Sequence, residues 1–85
     1  MKEERIGIIS HYYTHLEVAA VVMEGELAVG DTIHIKGHTS NFIQKVESMQ
    51  IEHKNVNHVK KGDHVGIRVK EHAREHDVVY KIMEE

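Results

Sequence analysis

The sequence predicts an all-β domain, a small closed six-stranded antiparallel β-barrel, and three observations lead to this expectation. A Gly-Asp pair leads into a strand with alternating apolar residues at Gly30-Asp31 and again at Gly62-Asp63. His76-Asp77 is a weaker third copy of the same pattern. The apolar runs are short and are separated by polar turn clusters, which is typical of β-hairpins. Closure is expected because a closed barrel has no exposed strand edges.

The strands follow from local patterns, taken in order. Residues 5–13 alternate, and residues 18–23 form an apolar, valine-rich run that is too short for a helix. Residues 32–36, 64–70 and 78–83 each follow a Gly-Asp or His-Asp pair. The long strand 42–53 changes its apolar parity, so a bulge or bend is predicted near Glu47 and Ser48. Residues 54–61 are predicted to be a polar loop, and residues 71–77 could form one helical turn.

Length and composition limit the classes of function. With 85 residues, the chain is expected to form one domain, residues 1–85. It has no cysteine, which excludes disulfides and zinc-thiolate sites and favours a reducing compartment. No apolar run approaches the roughly 18 residues of a membrane span, and the N-terminus lacks the apolar core of a signal peptide. A cytoplasmic protein with no membrane partner is therefore expected.

The charge is unevenly distributed in this histidine-rich chain. The formal net charge of -3 argues against a protein that coats nucleic acid through bulk electrostatics. The segment from Lys54 to Lys70, however, contains five cations and one anion. Such a cluster is a candidate for contact with phosphate groups, and a solvated barrel face is the alternative.

Two motifs resemble a known family. The order Gly-x-Leu-x-x-Gly-Asp-x-Ile-x-Ile at 25–35, then a long strand, then Gly-Asp-x-Val-Gly-Ile-x-Val at 62–69 resembles domain 2 of translational GTPases such as elongation factor Tu. The resemblance covers nearly the whole chain and implies a six-stranded antiparallel barrel. Similar barrels occur at the C-terminus of the collagenase-like peptidase family, some of whose members act on RNA. The phosphate loop Gly-x-x-x-x-Gly-Lys-[Ser/Thr] is missing, so no GTP binding is expected.

The same resemblance implies an RNA-binding face. In elongation factor Tu this barrel holds the aminoacylated end of tRNA, and matching by spacing back from Gly62 places the corresponding positions at Gln50, His53 and His64. The neighbouring cations would add phosphate contacts. The predicted RNA-binding residues are Gln50, His53, His64, Arg68, Lys70, Lys60 and Lys61.

The sequence therefore predicts a non-enzymatic, translation elongation factor-like module that binds tRNA or rRNA and needs no cofactor. The alternative is a protein-docking barrel with an exposed apolar patch around Met23, Leu27 and Val29. No catalytic constellation of serine, histidine and carboxylate can be recognised. His72 and His76 have a spacing that could hold a metal on a helix, but solvated loop histidines are favoured and no metal site is predicted.

Overall fold

The structure, a computed structural model, describes residues 2–83, and these residues form strands and turns without any helix. The prediction of an all-β domain is confirmed. Within the same range, no helix is long and apolar enough to cross a membrane. The strands are β1 (Lys2–Tyr13), β2 (Val18–Met23), β3 (Leu27–Ala28), β4 (Thr32–Lys36), β5 (Asn41–Lys45), β6 (Met49–Ile51), β7 (Lys54–Val56), β8 (His58–Val59), β9 (His64–Arg68) and β10 (Val78–Met83).

The strands form an open sheet, so the predicted closed six-stranded barrel is wrong. Eight strands pair antiparallel in the order β5-β4-β10-β1-β2-β9-β6-β7, and β3 pairs with β8 separately. The edge strand β5 and the end of β9 are joined by side-chain hydrogen bonds and not by backbone strand pairing. Gln44 Nε2 donates to the Arg68 carbonyl at 2.9 Å, and the Lys70 amide donates to Gln44 Oε1 at 2.8 Å. One amide side chain thus connects two segments that no strand pairing joins.

The core lies on one face of the sheet and follows the alternation of the sequence. Val65, Ile67 and Val69 are buried, as predicted, while His64 and Arg68 are exposed. The apolar residues of β1, β2, β4 and β5 that share this side are also buried: Ile6, Ile9, Ala19, Val21, Met23, Ile33, Ile35 and Phe42.

The bend predicted near Glu47 and Ser48 is confirmed, but the predicted strand 42–53 is divided there into two strands, and Glu52 and His53 lie in a turn. β5 ends at Lys45 and pairs with β4, whereas β6 begins at Met49 and pairs with β7 and β9. The chain therefore turns a corner at residues 46–48, which restores a buried position for Met49. The loop predicted at residues 54–61 is wrong in part, because it contains β7 and β8. The helical turn predicted at residues 71–77 is absent from the structure.

The three Asp residues of the repeated turn pattern make the same pair of hydrogen bonds. Each carboxylate accepts from the backbone N–H three residues earlier, at 2.9, 3.0 and 2.9 Å for Asp31, Asp63 and Asp77. Each Asp N–H donates back to the carbonyl of that earlier residue, at 3.1, 3.0 and 3.1 Å. The partners are Ala28, Lys60 and Arg74. The pattern read as a weak third copy at His76-Asp77 is thus a full structural copy.

The residue before each of these Asp residues has a left-handed backbone conformation. The φ values are 99° at Gly30, 96° at Gly62 and 73° at His76. The third residue of a type II turn requires such a φ, and glycine adopts it without steric cost. Gly30 and Gly62 therefore provide the backbone conformation that these turns require. His76 adopts the same conformation with a side chain attached.

An acid-sensitive contact links the outer ends of β1 and β4. Glu3 Oε2 lies 2.8 Å from His34 Nδ1, and Glu3 Oε1 lies 3.4 Å from Lys36 Nζ. The hydrogen bond with His34 and the charges of His34 and Lys36 hold the pKa of Glu3 below its ordinary value of 4.5, against a smaller opposing effect of desolvation.

Because the folded pKa of Glu3 is lowered, its contribution to stability is present above the ordinary pKa and is lost as the pH falls through the folded pKa. We expect Glu3→Gln to make the urea midpoint less sensitive to pH between about pH 6 and about pH 3. Glu4→Gln, one residue along β1, is the charge-matched control. Equal flattening in both variants would show that the Glu3 contact has no specific effect.

Candidate functional site

The residues predicted to form one RNA-binding face line three separate depressions on the surface. Gln50, His53 and His64 do come together, in a groove on the outer face of the sheet. They meet because β6 pairs with β9, with Gln50 opposite Gly66. Among the described residues that line this groove there is no lysine or arginine.

The predicted cations lie elsewhere, and carboxylates accompany them. Arg68 and Lys70 line a second depression together with Lys45, Glu17 and Glu47. Lys60 and Lys61 line a third depression together with Lys81, Glu4 and Glu26. His64 and Arg68 stand at opposite ends of β9, and four residues of strand span roughly 13 Å. The basic segment of the sequence therefore does not form a continuous cationic surface.

The groove runs over the outer face of β1, β2, β9 and β6, with a volume of about 490 Å³. Its floor includes Ala20 of β2 opposite Gly66 of β9, two residues with little or no side chain. A ligand can therefore approach the sheet backbone closely. The side chains on either side of this floor come from β1 and the β1–β2 turn, and from β6 and the β6–β7 turn: Tyr13 and Leu16, and Gln50, Glu52 and His53.

Four large hydrophobic side chains of the described residues are exposed, and two of them, Tyr13 and Leu16, line this groove. Tyr13 is 47% exposed and Leu16 is 65% exposed. Of the docking patch predicted from the sequence, Val29 is 40% exposed as expected. Met23 and Leu27 are 2% and 1% exposed and belong to the core, so the patch does not form as predicted. Leu16 was missed because it lies in a short polar connection, and an isolated apolar residue within a turn was the available signal.

The two turns beside the groove are strained. Glu52 and His53 form the two-residue turn between β6 and β7, with φ values of 50° and 67°. Such a turn often contains Asn-Gly. For most other residues the left-handed conformation costs about 1–2 kcal/mol of conformational free energy per residue. Glu17, which follows Leu16, has a φ of 56°. In the described part of the chain, His76 is the remaining non-glycine residue with positive φ.

Local contacts hold several groove side chains in place. The rings of His11 and Tyr13 meet edge to face, with centroids 4.5 Å apart, and His11 Nδ1 lies 3.3 Å from Glu75 Oε1. Gln50 Nε2 donates to Asn55 Oδ1 at 3.1 Å. These contacts orient the aromatic ring and the amide before a ligand arrives.

Residues 2–83 contain no group of three or more histidine, cysteine, aspartate and glutamate side chains arranged to hold a metal ion. His72 packs against Tyr12, with ring centroids 4.4 Å apart, and His76 lies in the turn before Asp77. Since residues 71–77 are not helical, the helical i, i+4 arrangement of these two histidines does not arise.

Fold and groove together define a small all-β domain with a preformed, largely apolar surface groove. Two solved structures have this fold, both of the C-terminal domain of a putative U32 peptidase of Geobacillus thermoleovorans. One has a TM-score of 0.85 and 20% identity and covers 89% of this chain and 96% of that chain. The second, with a TM-score of 0.88 and 20% identity, covers 94% and 93%.

Sequence comparison leads to relatives with peptidase names. The chain is 40% identical over 80 residues to the uncharacterized protease MJ0090 of Methanocaldococcus jannaschii, which covers 93% of this chain and 20% of that protein. It is 42% identical over 72 residues to a collagenase of Porphyromonas gingivalis, covering 82% of this chain and 20% of that protein. The chain thus spans about 20% of the length of these relatives. No protein-family model matches it.

These similarities correct the functional predictions. The assignment to the translation elongation factor family is wrong, because the relatives are a protease, a collagenase and the C-terminal domain of a putative U32 peptidase. The predictions of an RNA-binding module in translation and of a non-enzymatic protein are wrong for the same reason, since the names of the relatives indicate an enzyme family. The Gly-Asp turns that carried the resemblance are turns that lead into strands β4 and β9.

Proposed function

We propose that this chain acts as the accessory β-domain of a peptidase of the U32 and collagenase type, and that its groove holds a stretch of polypeptide. The observation that carries the proposal is the 40% identity to a protease over 93% of this chain, which is only 20% of that protease. Cleavage of the peptide bond is assigned to the part of such a peptidase that this chain does not match. The lack of cysteine is consistent with the predicted cytoplasmic location, which stays part of the proposal.

The shape of the groove supports a polypeptide ligand. A volume of about 490 Å³ accommodates a few residues of an extended chain. Tyr13 and Leu16 offer apolar contact area, and aromatic anchors of this kind contribute much of the affinity of interfaces. Gln50, His53 and His64 supply side-chain N–H groups that can donate to the carbonyls of a bound peptide.

The proposal is tested with two variants that each remove an exposed aliphatic side chain. Leu16→Ala changes the groove, whereas Ile43→Ala changes β5, where the side chain is 46% exposed and does not line the groove. We expect the wild-type chain to bind fluorescein-labelled gelatin peptides in an anisotropy titration. Leu16→Ala should weaken this binding about tenfold, since burying a leucine contributes roughly 1.5 kcal/mol or more. Ile43→Ala should leave it unchanged.

Two outcomes would overturn the proposal. The first is equal loss of affinity in Leu16→Ala and Ile43→Ala, which would mean that binding is not localised to the groove. The second is the absence of peptide binding together with binding of a separately produced peptidase region, which would make the groove a contact between domains.

A further inference from the structure

We infer that the Glu52-His53 turn makes the groove selective for peptides that carry a basic side chain next to an apolar one. This inference rests on the proposed function of the groove as a polypeptide site. It adds the chemical class of the peptide and the residues that recognise it.

The first observation is the conformation of the turn. Glu52 and His53 are consecutive left-handed residues, with φ values of 50° and 67°. A two-residue turn of this type is formed most easily by Asn-Gly, and a glutamate followed by a histidine is a costly choice. Residues with a strained backbone conformation cluster at active sites and ligand-binding sites. The side chains of Glu52 and His53 both line the groove.

The second observation is the distribution of charge. Of the described residues that line the groove, Glu52 alone carries a formal charge. Glu52 lies in the β6–β7 turn, whereas Tyr13 and Leu16 belong to β1 and the β1–β2 turn, with β2 and β9 between the two sides. A peptide that places an apolar side chain on Leu16 and a lysine or arginine beside it would satisfy both features. The exposed Tyr13 ring adds a face on which a cation can stack.

The groups that face Glu52 favour the same ligand. His53, His64 and His11 also line the groove. An unprotonated imidazole nitrogen can accept a hydrogen bond from a guanidinium or ammonium group. An acidic peptide, by contrast, would bring a carboxylate close to Glu52.

The test compares two peptides that differ only in charge, one with arginine and one with citrulline at the same position. We expect the wild-type chain to bind the arginine peptide about threefold to fivefold more tightly, the range for a partly exposed ion pair. Raising the salt concentration should reduce this preference. Glu52→Gln should abolish the preference, so that the arginine and citrulline peptides bind this variant with equal affinity.

A second variant separates recognition from folding. The double substitution Glu52→Asn with His53→Gly installs the favourable turn sequence, so we expect Tm to rise by about 4–8 °C while the preference for arginine is lost. His76→Gly makes the same kind of change at a left-handed residue that does not line the groove, and it should retain the preference.

The outcomes distinguish this inference from the function on which it rests. If both peptides bind the wild-type chain with equal affinity, the groove holds polypeptide but the selectivity for basic residues is overturned. A preference that survives Glu52→Gln would likewise overturn the role of the turn. If neither peptide binds, the proposed function itself fails.

Discussion

Gly37→Ala is expected to lose a large part of the folding stability of this domain. A β-carbon added at Gly37 would overlap the Asp77 carboxylate, which is buried and 4% exposed. That carboxylate accepts from the Arg74 amide at 2.9 Å, and the Asp77 carbonyl accepts from the Ile9 amide at 2.8 Å. Moving Asp77 would break the turn that leads into β10, a strand between β4 and β1. A loss of about 3 kcal/mol is expected, measured by urea denaturation.

Gly30→Ala is the control for the steric origin of this effect. Gly30 has a φ of 99°, and a β-carbon added there would meet no atom within 4 Å. Its substitution should cost only the backbone strain, about 1–2 kcal/mol. A Gly37→Ala variant as stable as Gly30→Ala would show that Asp77 can move aside freely and would contradict the argument.

Gln44→Leu is expected to destabilise the domain by about 2–4 kcal/mol, because it removes both bonds across the gap between β5 and the end of β9. Leucine has nearly the same volume, so the change leaves the Arg68 carbonyl and the Lys70 amide without this partner and creates little empty space. Gln44 is only 8% exposed. Water therefore cannot fully replace the two hydrogen bonds that the Arg68 carbonyl and the Lys70 amide would lose. The measurement is the free energy of unfolding in urea.

Two comparisons sharpen this prediction. Gln50→Leu alters an exposed glutamine whose amide bonds the Asn55 side chain at 3.1 Å, and it should change stability by less than about 1 kcal/mol. Gln44→Glu keeps an acceptor for the Lys70 amide but places a carboxylate oxygen against the Arg68 carbonyl. It should therefore be at least as damaging as Gln44→Leu. Similar stability of all three variants would mean that the side-chain bridge is dispensable.

The turns of the core strands and the turns beside the groove differ in how well their residues suit the local backbone conformation. The core strands use alternating apolar residues, and their turns use Gly30, Gly62 and a capping aspartate, which are favourable local choices. Beside the groove, the turns instead contain left-handed Glu17, Glu52 and His53. A surface on which unfavourable turn residues and exposed apolar side chains coincide is the expected place for a binding function that reduces stability.

Local patterns in the sequence predicted the strands well. The ranges 18–23, 32–36 and 78–83 are the observed bounds of β2, β4 and β10. The bend near Glu47 and Ser48 was also predicted. These features depend on neighbours within a few residues, through period-two alternation and turn chemistry.

The sequence by itself determined the all-β class, the strands β1, β2, β4, β9 and β10, their buried faces and the repeated Asp turns, because each depends on residues close together in the chain. Only the tertiary structure decided which outward residues meet. Pairing of β2 with β9 and of β9 with β6 places Ala20, Gly66 and Gln50 in one groove, while the cations near Lys60 and Arg68 are directed elsewhere. The alternation of apolar and polar residues predicts which side chains point outward. It does not predict which residues from distant parts of the chain lie beside them. For that reason the basic segment suggested a continuous face that the folded chain does not form.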